Sequence, residues 1–137
     1  MILGIDHGTK KTGLALGDEV TKIATPMDVI NDRGEELISS IIDLIELEDI
    51  TKIVVGMPLS ESGEETEQSK IVSDFAAELR SRVEIPVVTV DEYLTSKYAE
   101  GIVKQSGGEI DAVAAAAILD DYFASAGDLE EEEEEEV

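Results

Sequence analysis

The stretch Ile2-Leu3-Gly4-Ile5-Asp6-His7-Gly8-Thr9-Lys10-Lys11-Thr12-Gly13-Leu14-Ala15-Leu16 decides the frame of the fold. Ile2 to Ile5 is a short apolar run that stops at Asp6 and a glycine, the pattern of a buried strand meeting a turn. Thr12 to Leu16 reads as a second strand, with Thr9-Lys10-Lys11 as the turn between them. A third strand, Ile23 to Val29, follows closely, and three strands with short connections predict an antiparallel meander.

Beyond Val29 the period changes. Leu37, Ile38, Ile41, Ile42, Leu44 and Ile45 recur at helical spacing, and Asp32 with Glu35 suits a capping box at the helix start. Lys52-Ile53-Val54-Val55 is a strand closed by Gly56-Met57-Pro58, followed by a polar loop from Leu59 to Glu65. Ile71, Val72, Phe75, Ala76 and Leu79 form one face of a second helix. Pro86 opens a strand, Val87 to Val90, that runs into Asp91-Glu92. A helix from about Thr95 to Lys104 is expected next, broken by Gly107-Gly108, then a last helix from about Ile110 to Ala124. The order is β-β-β-α-β-α-β-α-α. Helices between the later strands demand crossover connections, so the expected class is α/β, a five-stranded mixed sheet with helices on both faces. Residues 1–126 are expected to form one domain, and residues 127–137 a disordered acidic tail too charged to pack.

The composition bounds the chemistry. With no cysteine there is no disulfide framework, thiolate metal site or thiol nucleophile. The opening residues lack a basic leader, and Asp6 interrupts their apolar run, so no signal peptide is expected. No apolar stretch is long enough to span a membrane, and the cytoplasm is the expected compartment. The net charge is −23, from 33 acids and 10 bases. Eight of the acids lie in residues 128–137, so the remainder is strongly acidic too. Proteins that grip nucleic acid through phosphates usually show the opposite balance. Two divalent ions would offset that where it matters, and high salt would screen the rest.

In open sheets the functional crevice lies at the carboxyl ends of the parallel strands. Asp6, Gly56 and Glu92 stand at three such ends. If the strand before Gly56 lies between the other two, the outer strands are about 10 Å apart. A long glutamate arm and two metals roughly 4 Å apart can bridge that span. Gly56 puts no side chain in the middle. Asp91 and Glu92 project to opposite faces, so one of them enters the site. Asp111 starts the last helix, and the small residues Ala112-Val113-Ala114-Ala115-Ala116-Ala117 would let that helix approach the sheet closely. Carboxylates without His or Cys favour Mg²⁺ or Mn²⁺. Bland roles compete with these: Asp6 as a turn cap, Asp111 as a partner for the helix dipole, His7 as a packing residue, and Thr95 and Ser96 as helix caps.

Four segments together resemble the YqgF/RuvX family, RNase H-like proteins described as Holliday junction resolvases or pre-16S rRNA nucleases. Gly4 to Ala15 resembles its opening motif and Val54-Val55-Gly56-Met57-Pro58 its second, with Gly63 and Thr66-Glu67-Gln68-Ser69 resembling the loop and helix start that follow. Asp91-Glu92-Tyr93-Leu94-Thr95-Ser96 with Ala99 resembles the third motif, and Ile110 to Leu119 the fourth. The resemblance covers about residues 1 to 124, in order. It implies that Asp6, Glu92 and Asp111 are the catalytic, metal-binding triad of a two-metal phosphodiesterase acting on RNA or branched DNA. Lys10 and Lys11, beside the proposed site, are candidates for phosphate contact, Thr95 and Ser96 for substrate contact, and Asp91 and Gly56 for supporting the ligands. Two positions depart from the family: Tyr93 stands where arginine follows Asp-Glu, and Lys10-Lys11 stands for lysine-arginine. Lysine lacks the fork that holds a phosphate in bidentate fashion.

Two other readings stay open. The Asp6-His7-Gly8-Thr9 turn also resembles the phosphate hairpin of actin-like ATPases, which need a second domain that 137 residues do not accommodate. A binding module with the same fold and little nuclease activity would suit the acidic surface and Tyr93. Monomer and dimer are equally compatible with the sequence. The glutamate run would, on a sharper reading, compete with nucleic acid for Lys10 and Lys11.

Overall fold

The computed structural model describes residues 1–8, 10–60, 62–93 and 110–136, with the side chains of Tyr93, Ile110, Asp111 and residues 126–136 outside the description. The elements are β1 Ile2–His7, β2 Thr12–Gly17, β3 Ala24–Ile30, α1 Gly34–Leu47, β4 Lys52–Leu59, α2 Glu67–Arg82, β5 Val87–Tyr93 and α3 Ile110–Glu136. The helix expected near Thr95 to Lys104 and the Gly107-Gly108 break lie outside the described residues.

The five strands form one sheet in the order β3-β2-β1-β4-β5. β1 to β3 pair antiparallel as a meander, while β1, β4 and β5 run parallel. The mixed α/β sheet expected from the sequence is therefore present, and β4 lies between the strands that carry Asp6 and Glu92. Alternation along β1 separates two cores. Leu3 and Ile5 face α1 and α2, packed with Leu37, Ile41, Val72 and Leu79. Ile2 joins Val54, Ala115, Ile118 and Leu119 on the face covered by α3. Burying a side chain such as Leu119 stabilises by roughly 1.5–3 kcal/mol. No helix among the described residues is long and apolar enough to cross a membrane.

Glycine and alanine bring α3 down onto the sheet. A Cβ on Gly4 would lie 2.6 Å from Leu119 Cγ and 3.0 Å from the Ala115 carbonyl oxygen. One on Gly17 would lie 2.8 Å from Phe123 Cζ, and one on Gly56 would run into Ile118. The expectation that small residues allow close approach holds on both partners.

Several boundaries differ from the sequence expectation. α1 begins at Gly34 with φ +59°, and its N-cap is Arg33 with no side-chain cap. Asp32 thus sits one place too early and Glu35 one place too early in the helix for the expected capping box. The box occurs instead on α2, where Ser69 N donates to Thr66 Oγ1 at 3.1 Å and Thr66 N donates to Ser69 Oγ at 2.8 Å. β4 does not close at Gly56 but continues to Leu59. Pro58 is tolerated there because the β1–β4 pairing ends at Ile5 and Val55, leaving β4 paired only to β5 beyond that point. α3 is helical through Glu136, past the expected end at Ala124. Glutamate is a good helix former, and no proline follows the apolar stretch to stop it.

Candidate active site

Asp6 lies two residues beyond Gly4 on β1, on the α3 face. Extending the β1–β4 register by one residue sets it level with Gly56, which pairs with Val90. Glu92 is two residues further along β5, on the same face, in register with Pro58. Two strand spacings and two residues separate the backbones of Asp6 and Glu92 by about 12 Å. The glutamate arm turns back across that gap: its Cγ lies 3.5 Å from where a Gly56 Cβ would be. Gly56 therefore supplies the space into which Glu92 folds. Asp91 is exposed and projects to the other face.

The Glu92 carboxyl is placed against its own charge. Its pKa is pushed up to about 8, first by burial, then by the Asp121 carboxyl as hydrogen-bonding group and as charge, then by the charges of Asp6 and Asp91. Its Oε1 is buried without a hydrogen-bond partner among the described residues. A buried carboxylate oxygen facing further carboxylates is costly unless a cation meets it. All-oxygen donors suit a hard divalent ion, so the residues present fit one. Among the described residues no three His, Asp or Glu side chains are spaced to hold a metal. The third ligand implied by the resemblance, Asp111, has its side chain outside the description. Its backbone lies in the first turn of α3.

Sequence reasoning missed Asp121. It lies ten residues after Asp111, about 15 Å along the helix, so the two mark different places. The usable signal was its position three residues after Ile118, the residue that meets Gly56.

The other candidates fall elsewhere. His7 turns to the α1–α2 face, where its ring stacks on Phe75 with centroids 4.0 Å apart and Nδ1 lies 3.0 Å from Thr12 Oγ1. Burial, and secondarily Arg33, hold its pKa below the usual value, so the ring is neutral at pH 7. Gln68 Nε2 donates to the His7 carbonyl at 2.9 Å, tying α2 to the end of β1. Lys10 lines a cleft on that same face, away from the carboxylates. Lys11 is exposed, and its carbonyl closes the turn by accepting from Gly8 N at 2.9 Å. A Cβ on Gly8 would lie 2.7 Å from that carbonyl oxygen, which explains the glycine. Thr95 and Ser96 lie outside the described residues.

A five-stranded sheet in this order, with two carboxylates converging beside the ends of its parallel strands, defines an RNase H-like domain. The *Thermus thermophilus* RuvC solved in complex with a Holliday junction substrate superposes with a TM-score of 0.60 at 14% identity, covering 91% of this chain and 94% of that one. A second *Thermus thermophilus* RuvC structure gives 0.51 at 13% identity, covering 91% and 95%. At that identity the likeness is one of fold. The sequence comparison goes further: the model of the RuvX family, described as Holliday junction resolvase, matches residues 1–125, and the chain belongs to this family. Curated relatives from *Rickettsia typhi* and *Rickettsia bellii*, each named "Putative pre-16S rRNA nuclease", are 37% identical over 127 residues. The matches cover 87% of this chain and 81% and 82% of those proteins.

Proposed function

We propose that this chain is a metal-dependent nuclease that hydrolyses nucleic-acid phosphodiester bonds, with pre-16S rRNA processing in ribosome biogenesis as its role. The observation that carries the reading is the convergence of Asp6 and Glu92 around Gly56 on one face of the sheet. The names of the curated relatives favour ribosomal RNA precursor, and the family's description as Holliday junction resolvase keeps branched DNA as the other candidate substrate. Residues 1–126 are the proposed catalytic domain, residues 127–137 an acidic extension, and the cytoplasm the proposed compartment.

Asp6, Glu92 and Asp111 are the proposed ligands of Mg²⁺ or Mn²⁺. When bound, such ions supply a water of lowered pKa and positive charge for the leaving oxygen. The chain's own contribution begins with Glu92, which must release its proton to act as a ligand, so metal binding is coupled to proton release. Gly56 keeps open the space in which its arm lies. Asp91 adds negative charge from behind. Lys10, Lys11, Thr95 and Ser96 are proposed to touch the nucleic acid.

The −23 charge favours one competing reading, an RNase H-like binding module with little cleavage activity. Labelled single-stranded RNA and a four-way DNA junction, incubated with Mg²⁺ or Mn²⁺ across a salt series, separate these. Metal-dependent cutting of the RNA supports the proposed role, and preferential cutting of the junction redirects the substrate. Metal binding without cutting at any salt selects the binding module.

A further inference from the structure

On the sheet face opposite Asp6 and Glu92, a cleft of about 330 Å³ opens between the β1–β2 turn and the start of α1. Lys10 and Arg33 both line it, together with His7, Asp32, Gly34 and Ile71. In a chain with 33 acids for 10 bases, a cation would be expected to attract a carboxylate. Arg82 does so, pairing with Glu35 at 2.7 Å and Glu78 at 3.6 Å. Lys22 and Lys52 lie over the rings of Phe123 and Tyr122. Lys10 and Arg33 form no ion pair with any described residue, yet both line the same concavity.

We propose that this cleft is a phosphodiester-binding subsite gripped by Lys10 and Arg33. The charge balance selects the ligand: two cations against the Asp32 carboxylate leave one net positive charge. That matches the single negative charge of a phosphodiester better than a phosphate dianion. Ile71, 44% exposed, offers apolar surface for a sugar. The Arg33 fork can hold two phosphate oxygens at once, which the lysines of the turn cannot. A strand crossing the tip of the β1–β2 hairpin would meet this cleft on one side and Asp6, adjacent in sequence to His7, on the other. As the partner of the cutting site, the subsite rests on the nuclease reading.

Arg33 is exposed, so Arg33→Gln should leave the fold intact. Labelled single-stranded RNA is titrated into full-length protein carrying Asp6→Asn, in Mg²⁺, across a salt series. Adding Arg33→Gln should weaken binding about tenfold at low salt and flatten the salt dependence by about 0.7 in log–log slope, one contact on a single strand. Lys22→Gln, which loses the same charge elsewhere, should leave the slope unchanged. Equal effects of the two substitutions would overturn the subsite while leaving the nuclease reading in place. Dimethyl phosphate, followed by NMR in the otherwise native chain, should shift the His7 ring and Gly34 amide signals, and the shift should vanish in Arg33→Gln. That shift in a protein that binds no RNA would uphold a phosphodiester site and overturn its assignment to nucleic acid. No shift would overturn the site itself.

Discussion

Gly4→Ala places a methyl group between the sheet and α3 at the point where they touch most closely. The added Cβ would lie 2.6 Å from Leu119 Cγ, 2.9 Å from Leu119 Cδ1 and 3.0 Å from the Ala115 carbonyl oxygen. Leu119 is fully buried and Ala115 contributes backbone, so neither relaxes into solvent. Overpacking of this kind costs about 1–3 kcal/mol, which for a chain of this size lowers Tm by roughly 4–10 °C. Leu119→Ala alone costs about 2–5 kcal/mol through lost burial and a cavity. In the double variant the new methyl occupies part of that cavity, so the combined loss should fall short of the sum by about 1 kcal/mol or more. Calorimetric melts of the four proteins complete the cycle. The same displacement should reach the start of α3 and Asp111, so Gly4→Ala should cut more slowly even below its melting range, by up to about a hundredfold per ångström of misplacement. An unchanged Tm in Gly4→Ala, or strict additivity in the double variant, would refute the close-packing argument.

Glu92 makes stability depend on pH. Its proton is held to about pH 8 in the fold but leaves near the ordinary 4.5 in the unfolded chain. Unfolding between those values therefore releases a proton, and the metal-free protein should lose stability as pH rises across that window. Melts in chelator should show this fall in wild type and a flatter profile in Glu92→Gln, and Mg²⁺ should raise wild-type Tm more at pH 8 than at pH 6. Thr66→Ala removes the side-chain cap that accepts from Ser69 N and should cost about 1 kcal/mol in denaturant unfolding. Deleting residues 128–137 removes eight acids, and RNA affinity should rise at low salt and converge with wild type at high salt.

The strands and their order were legible because each apolar run had a period or a turn to bound it. Strand order set the end of β1 against the end of β5 across a central Gly56, and the two-residue alternation separated Asp91 from Glu92, but the choice of Glu92 came from the family resemblance. What local pattern could not reveal was set by tertiary contact. Asp121 looks like any surface acid of a helix until Ile118 is seated on Gly56. Asp32 and Glu35 have the spacing of a capping box, but Gly34 takes a left-handed conformation and moves the helix start. Pro58 reads as a strand stop, yet β4 has lost its β1 neighbour by that residue and needs no amide there. Arg33 carries no motif at all, and only the fold brings it to the same cleft as Lys10.

The central claim is that Asp6 and Glu92, with Asp111, hold the metal that cuts. Its most direct test is single-turnover cleavage of labelled single-stranded RNA in Mg²⁺ by wild type, Asp6→Asn and Glu92→Gln, with folding of each checked by its melt. Metal-dependent cutting by wild type, reduced at least a thousandfold (about 4 kcal/mol) in both folded variants, is the predicted result. Cutting by either variant at the wild-type rate would contradict the account.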